Sequence, residues 1–349
     1  MAINENDKTI PKGWKKVKLG EVLELFYGKG LKESDRIIGN YPVYGSNGIV
    51  GFHNEYLVEA PGIIIGRKGT VGEVKLSKIN FYPIDTTYYA KLKNNNDIFF
   101  FYYLLKTLKL NEMNSHSAVP GLNRDAVYSL EILLPPLSEQ KAIASVLSSL
   151  DDKIDLLHRQ NQTLEKMAET LFRKWFIEDA KEDWEEVKLG EIIEISSGKG
   201  LKKNEFVENG LYPVLGANGE IGKTNNFLFN EPLIFTGRVG TLGNVFISEG
   251  KVWLSDNTLI IKPITQEYFY LVYFFLKMAK LEELNVGSTQ PLIRQTDLKE
   301  LDIIIPDNET INKFHKFVDQ IFNKIKYNKQ QIRTLEQMRD ALLPKLMNG

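Results

Sequence analysis

The chain has 349 residues, 43% of them hydrophobic and 26% charged, a globular composition long enough for about two domains of roughly 150 residues. Forty-four Lys and Arg against 45 Asp and Glu leave a net charge of −1, so no global basic field draws in a polyanion. Cysteine is absent and His53, His116, His158 and His315 are scattered, which excludes disulfides, thiolate chemistry, iron–sulfur clusters and a histidine metal cluster.

The first residues, MAINENDKTIPKGW, lack the apolar core of a signal peptide. No apolar run is long enough to span a bilayer, so a soluble, cytoplasmic protein without membrane association is expected. After an N-terminal arm over 1–13, residues 14–136 read as short β-type runs broken by Gly and Asn turns, among them Gly62-Ile-Ile-Ile, Val71 to Leu76 and Tyr88 to Leu92. One helical segment, about Asp97 to Leu110, is rich in Phe, Tyr and Leu.

After Pro135-Pro136 the period changes. Ile143, Leu147, Leu150, Ile154, Leu157, Asn161, Leu164, Ala168, Leu171 and Trp175 step by alternating fours and threes, an a/d seam that predicts a helix over 137–178. At 1.5 Å per residue such a helix is about 60 Å long.

The chain then starts again. WKKVKLGEVLEL at Trp14 returns as WEEVKLGEIIEI at Trp184, and GKGLK at Gly28 returns at Gly198. YPVYGSNG at Tyr41 returns as YPVLGANG at Tyr212, and GRKGTVG at Gly66 as GRVGTLG at Gly237. The second copy, 184–306, has its helical segment near Glu267 to Leu281. A second seam, Phe314, Val318, Ile321, Ile325, Asn328, Ile332, Leu335, Arg339, Leu342 and Leu346, predicts a helix over 307–349. The fold class is therefore α+β: two β-rich mixed domains and a pair of long antiparallel coiled-coil helices, in a pseudo-two-fold internal repeat. A duplicated domain implies a duplicated target.

If the seams run antiparallel and match end to end, with Ile143 opposite Leu346, then Asn161 faces Asn328. Two such asparagines can hydrogen-bond and fix the register of the pair. Arg339 then faces Leu150, which requires its head to turn outward to water.

In the order of its parts, a domain with YPVYGSNG and GRKGTVG, then PPLSEQKAI at Pro135 to Ile143 opening a long helix, then both again, the chain resembles the specificity subunit of a type I restriction–modification system. The resemblance runs from Trp14 to the C-terminus, and the PPLSEQKAI stretch is its most specific part. It implies two target-recognition domains, each reading one half of a bipartite double-stranded DNA sequence, with the helix pair as the spacer. It implies as partners two methyltransferase subunits, and restriction subunits that are ATP-driven motor–nucleases. Adenine methylation and cleavage then belong to those subunits. The chain departs from the pattern in its short recognition domains and in PDNETINKF, Pro306 to Phe314, which opens the second helix. Residues of the heptad helices, and Trp175, are candidates for methyltransferase contact.

Charge is uneven. Residues 14–135 carry 15 basic and 12 acidic residues, and 184–306 carry 12 and 16. Because phosphate contacts dominate DNA affinity, the basic residues are expected on one face, and the chain alone is expected to bind DNA weakly.

Candidate DNA contacts lie in the turns. Lys29, Lys32 and Arg36 follow one Gly turn, and Lys199, Lys202 and Lys203 follow its counterpart; the alternative is a solvated charge run. Ser46 and Asn47, with Asn218 in the second copy, sit in Gly-flanked turns, where Asn serves an αL turn as readily as an adenine. Arg67 and Arg238 with Thr70 and Thr241 lie in the paired GRxGT turns. Arg forks to guanine or phosphate, and can equally brace its turn through carbonyls or a carboxylate such as Asp85 or Asp256. Since both copies keep the Arg, discrimination is expected where they differ: Lys68 against Val239, His53 against Thr224, Thr86 against Asn257, His116 against Gly287. Lys223, beside Thr224, completes the set. The aromatic residues of Phe99 to Tyr103 and Tyr268 to Phe275 read as buried helix rather than as base-stacking platforms.

No catalytic residue, metal or cofactor is expected. GANGEIGKT at Gly216 has five residues between its glycines where a P-loop needs four. A DNA amino-methyltransferase resembles its family by an Asn/Asp-Pro-Pro-aromatic motif, and Pro135-Pro136 is followed by Leu137. A protein-interaction adaptor without DNA specificity is the alternative, and an enzyme with an unrecognised site the third reading.

Overall fold

The structure, a computed structural model, describes residues 10–113, 121–287 and 290–348. The first repeat opens with β1 (Lys15–Lys18), the one-turn helix α1 (Leu19–Val22) and β2 (Leu23–Tyr27). It continues through β3 (Tyr41–Gly45), β4 (Gly48–His53), β5 (Gly62–Gly66), β6 (Val74–Ser77), β7 (Tyr82–Pro83) and β8 (Thr87–Leu92). Helices α2 (Ile98–Thr107) and α3 (Arg124–Tyr128), strand β9 (Glu131–Leu134) and the 37-residue helix α4 (Leu137–Arg173) follow.

The second repeat has the same order of parts with one short strand, Phe229–Asn230, added. They are β10 (Glu185–Lys188), α5 (Leu189–Ile192), β11 (Ile193–Ser197), β12 (Tyr212–Gly216), β13 (Gly219–Thr224), β14 (Phe229–Asn230) and β15 (Leu233–Gly237). Then come β16 (Val245–Ser248), β17 (Lys251–Leu254), β18 (Thr258–Pro263), α6 (Phe269–Met278), α7 (Gln295–Lys299), β19 (Asp302–Ile305) and the 41-residue α8 (Asn308–Asn348).

Each repeat folds into a four-stranded antiparallel sheet, β2-β8-β5-β6 or β11-β18-β15-β16, beside a second sheet, β4-β3-β7 or β13-β12-β17-β14. In the second sheet the hairpin strand, β3 or β12, also pairs in parallel with β7 or β17. A two-stranded ribbon, β1-β9 or β10-β19, ties the start of the repeat to its end. The hairpins turn on Ser46-Asn47 and Ala217-Asn218, each followed by a glycine at positive φ, +122° at Gly48 and +105° at Gly219. A side chain there would be strained, which explains the NG pair in both copies. The run from Val71 becomes strand only at Val74. Gly72, at φ +77°, turns the chain so close to Asn111 that a Cβ would lie 2.3 Å from its amide nitrogen.

The chain divides into two compact units, Met1–His158 with Gln330–Gly349, and Arg159–Lys329. The division passes through both long helices. In the first unit α2 is N-capped by Asp97, whose Oδ1 accepts from the Phe100 amide at 2.9 Å. Phe100, Phe101 and Leu104 are buried with Ile63, Ile65 and Tyr88 of the sheet, Ile143 and Leu147 of α4, and Met347 of α8. In the second unit Leu271, Val272 and Phe274 of α6 pack with Ile234 and Ile261 and with Phe172, Phe176, Phe314 and Val318 of the helical segments. Burying each of these side chains contributes about 1.5–3 kcal/mol, so the aromatic helices are core, as their density indicates.

The helices pair antiparallel within each unit. Ile154, Leu157, Ile332 and Leu335 form one cluster in the first. In the second, Asn328 Nδ2 donates to Asn161 Oδ1 at 2.8 Å and to Gln160 Oε1 at 2.9 Å. Trp175, in a π turn over Lys174–Glu178, lies beside Phe314 with ring centroids 5.9 Å apart. Arg339 corrects the expectation of an outward head. Its Nη1 donates to Asp151 Oδ1 at 2.9 Å, and Tyr103 donates its hydroxyl to the other Asp151 oxygen at 2.7 Å. A carboxylate one residue from the seam satisfies the guanidinium where it stands. Among the described residues no helix is long and apolar enough to cross a membrane.

Candidate nucleic-acid interface

At one end of each pair of sheets, loops that are distant in sequence are stitched together by backbone hydrogen bonds. In the first repeat the Lys29 amide donates to Pro83 O, and the Arg67 and Lys68 amides both donate to Thr86 O. The Leu122 amide donates to Arg67 O, and that of Ile84 to Tyr44 O. The second repeat repeats the pattern: Lys199 to Leu254 O, Arg238 to Asn257 O, Ile293 to Arg238 O, Ser255 to Leu215 O. Backbone positions are thereby fixed, while the side chains of Lys29, Lys68 and Lys199 stay exposed. Rigid loops of this kind are where recognition residues are usually carried.

The predicted residues divide into exposed ones and occupied ones, and among the exposed Lys223 lies at the end of β13 away from the hairpin turn. Lys29, Lys32, Lys68, Lys199, Lys202, Lys203 and Lys223 are exposed, and none has a carboxylate partner among the described residues. Carboxylates elsewhere are taken by other lysines, as in Lys16–Glu131, Lys188–Asp302, Lys262–Glu231 and Lys329–Glu249. Thr70, Thr241, Asn47, Asn218 and Asn257 are exposed, and Ser46 and Thr86 are half-buried. Asn218 Oδ1 accepts from Asn244 Nδ2 at 3.0 Å.

Arg36 is engaged within its own domain, and His53 and Thr224 are buried. Arg36 donates from Nη1 to Val50 O at 2.7 Å, bracing β4. His53 is only 7% exposed, and its Nδ1 accepts from the Ile37 amide at 3.0 Å. Thr224, its counterpart, is fully buried. The last residues of β4 and β13 point inward because side chains alternate along a strand. His116 lies outside the described residues.

Arg67 turns both Nε and Nη2 onto Asp85 O, at 3.2 and 2.6 Å. It acts as the turn brace, on the carbonyl of Asp85 rather than its carboxylate. Its guanidinium also sits 5.1 Å from the centroid of Tyr27 and 5.9 Å from that of Tyr88. Burial and a hydrogen bond with Tyr27 push the Tyr88 phenol up to about 12, against the opposing charges of Arg67 and Arg124. It therefore stays a neutral donor, to Leu122 O at 3.2 Å.

Sequence reasoning missed a residue of this cluster. Arg124, first residue of α3, holds its guanidinium 5.6 Å from the Tyr27 centroid and 5.9 Å from that of Tyr128. The second repeat builds the same place from Ser197, Arg238 and Gln295. Arg238 Nη1 and Gln295 Nε2 both approach Ser197 Oγ, at 3.4 and 3.2 Å. Tyr27 against Ser197 and Arg124 against Gln295 are positions where the copies differ. Extending the alignment through LNRDAVYSL and LIRQTDLKEL exposes the second difference.

A model of the type I restriction modification DNA specificity domain matches the chain twice, over residues 11–166 and 181–337. The chain belongs to this family. It carries two copies of the family's DNA specificity domain, each match enclosing one repeat and most of its long helix. The specificity subunit of the MjaIX type I restriction enzyme from Methanocaldococcus jannaschii is 30% identical over 280 aligned positions, covering 69% of this chain and 65% of the relative. The MjaVIII specificity subunit of the same organism is 26% identical, covering 97% and 93%. In fold, the crystal structure of a type I restriction–modification S subunit from M. genitalium matches all of this chain and 98% of its own, with a TM-score of 0.69 at 22% identity. The two-repeat architecture with long helices is thus the family fold.

Proposed function

We propose that this chain is the specificity subunit of a type I restriction–modification complex and that each repeat reads one half of a bipartite double-stranded DNA target. The observation that carries the reading is the repeated loop end. Lys29, Lys68 and Lys199, exposed and without carboxylate partners among the described residues, border a stitched backbone, and such a loop end occurs once per specificity domain. Free cations at one end supply the phosphate contacts that set register, while side chains that differ between the copies supply discrimination. The helix pair fixes how many unread base pairs separate the half-sites and docks two methyltransferase subunits. The chain itself is non-catalytic: adenine methylation comes from those subunits and ATP-dependent cleavage from restriction subunits. Such a complex works where the DNA is, in the cytoplasm.

The test is methylation mapping of DNA from cells expressing this chain with its companion methyltransferase. The expected result is a two-part motif with a constant gap that disappears when the chain is deleted. Stable complex formation without any motif would favour a protein-interaction adaptor instead.

A further inference from the structure

We propose that Arg124 and Gln295, at matching positions of the two repeats, each select one base of their half-site, Arg124 a guanine and Gln295 an adenine. The inference rests on the DNA-reading function above and adds which residues discriminate and what they choose.

The matching places share one member and differ in two. Arg67 and Arg238 are common, and Arg67 is occupied by Asp85 O. Arg124 is differently placed. Among the described residues it has neither a hydrogen-bond acceptor nor a carboxylate partner. It is held instead by the faces of Tyr27, itself 54% exposed, and Tyr128. Stacking orients a guanidinium without using its N–H groups, so two parallel donors remain for the O6 and N7 acceptors of guanine. Tyr128 is in turn fixed, because its hydroxyl accepts from the Leu25 amide at 2.8 Å.

At Gln295, Nε2 donates one proton to Ser197 Oγ at 3.2 Å. That contact orients the amide and leaves its second N–H and its Oε1 without a partner among the described residues, the donor and acceptor that match adenine N7 and N6. A phosphate role would be served by a cation in both copies. The change from a charged fork to a neutral amide at the same place is what base selection requires.

The experiment uses the complex with its methyltransferase and compares the methylated motifs of wild type, Arg124→Gln and Gln295→Arg. Arg124→Gln is expected to change one guanine of one half-site towards adenine. Gln295→Arg should make the reciprocal change in the other half, with the gap unaltered. Motifs unchanged in both variants overturn the proposal. So does a uniform weakening across all sequences, which marks a phosphate contact.

If a variant fails to assemble, the wild-type complex decides the matter on targets carrying 7-deazaguanine, which lacks the N7 acceptor, at each guanine in turn. Loss of binding at one guanine by roughly tenfold or more supports the assignment. No loss at any guanine, or a motif without guanine, overturns it. If wild type itself yields no bipartite motif, the DNA-specificity reading is what has failed.

Discussion

Single residues are expected to set register and to contribute to acid stability in the helix pair. Asn328 is fully buried and Asn161 is 8% exposed, and they bond to each other at 2.8 Å. Asn161→Leu removes an acceptor from a buried amide, a loss of about 1–3 kcal/mol. Replacing both with Leu removes the polar groups together and is expected to recover or exceed wild-type stability while loosening register. A double-mutant cycle read by denaturation should show coupling of about 0.5–3 kcal/mol; additive effects would count against a register pair. At the start of α8, Asp307 Oδ1 accepts from the Thr310 amide and Oδ2 from its hydroxyl, both at 2.9 Å. These bonds, with Lys181 adding a smaller pull, hold the Asp307 carboxyl down to about 2, against about 3.9 in an unfolded chain. A lowered folded value stabilises above the unfolded pKa and is lost as pH falls, so the window runs from about pH 4 to pH 2. The melting temperature of wild type should therefore fall more steeply there than that of Asp307→Asn, and parallel curves would disprove the linkage.

Among the elements, the long helices and the loop-bearing sheets do separate work. Deleting Ile154–Gln160 together with Lys329–Leu335 removes one facing heptad from each helix and keeps both the Asn161–Asn328 and the Asp151–Arg339 contacts. Seven residues at 1.5 Å make about 10 Å, or roughly three base pairs. Methylation mapping of the assembled complex should then show a gap altered by about that number. An unchanged gap would refute the spacer role. Helices α2 and α6 belong to the opposite category. Phe100, Phe101 and Phe274 are buried and serve stability, and the density of Phe and Tyr in both segments already pointed to that.

For the whole molecule, the balance of charge sets the binding behaviour. A net charge of −1 gives no long-range pull on DNA, so the isolated chain is expected to bind weakly and with a steep dependence on salt. Replacing Lys29 or Lys68 by Ala should flatten the slope of log K against log salt by about one for each phosphate no longer neutralised, as titration at several salt concentrations would read. An unaltered slope would place the phosphate-binding groups elsewhere. The amino-acid sequence alone determined the duplication, the β-rich texture of each copy, the two long helices and the meeting of Asn161 with Asn328, because repeats and heptads are one-dimensional patterns. Only the tertiary structure decided which turn residues are free. Arg36 and Arg67 hold backbone carbonyls, and His53 and Thr224 face inward. Arg124 meets Tyr27, and Gln295 meets Ser197, where loops far apart in the chain come together. Side-chain partners of that kind depend on how sheets and loops close in three dimensions, and no local pattern of residues encodes them.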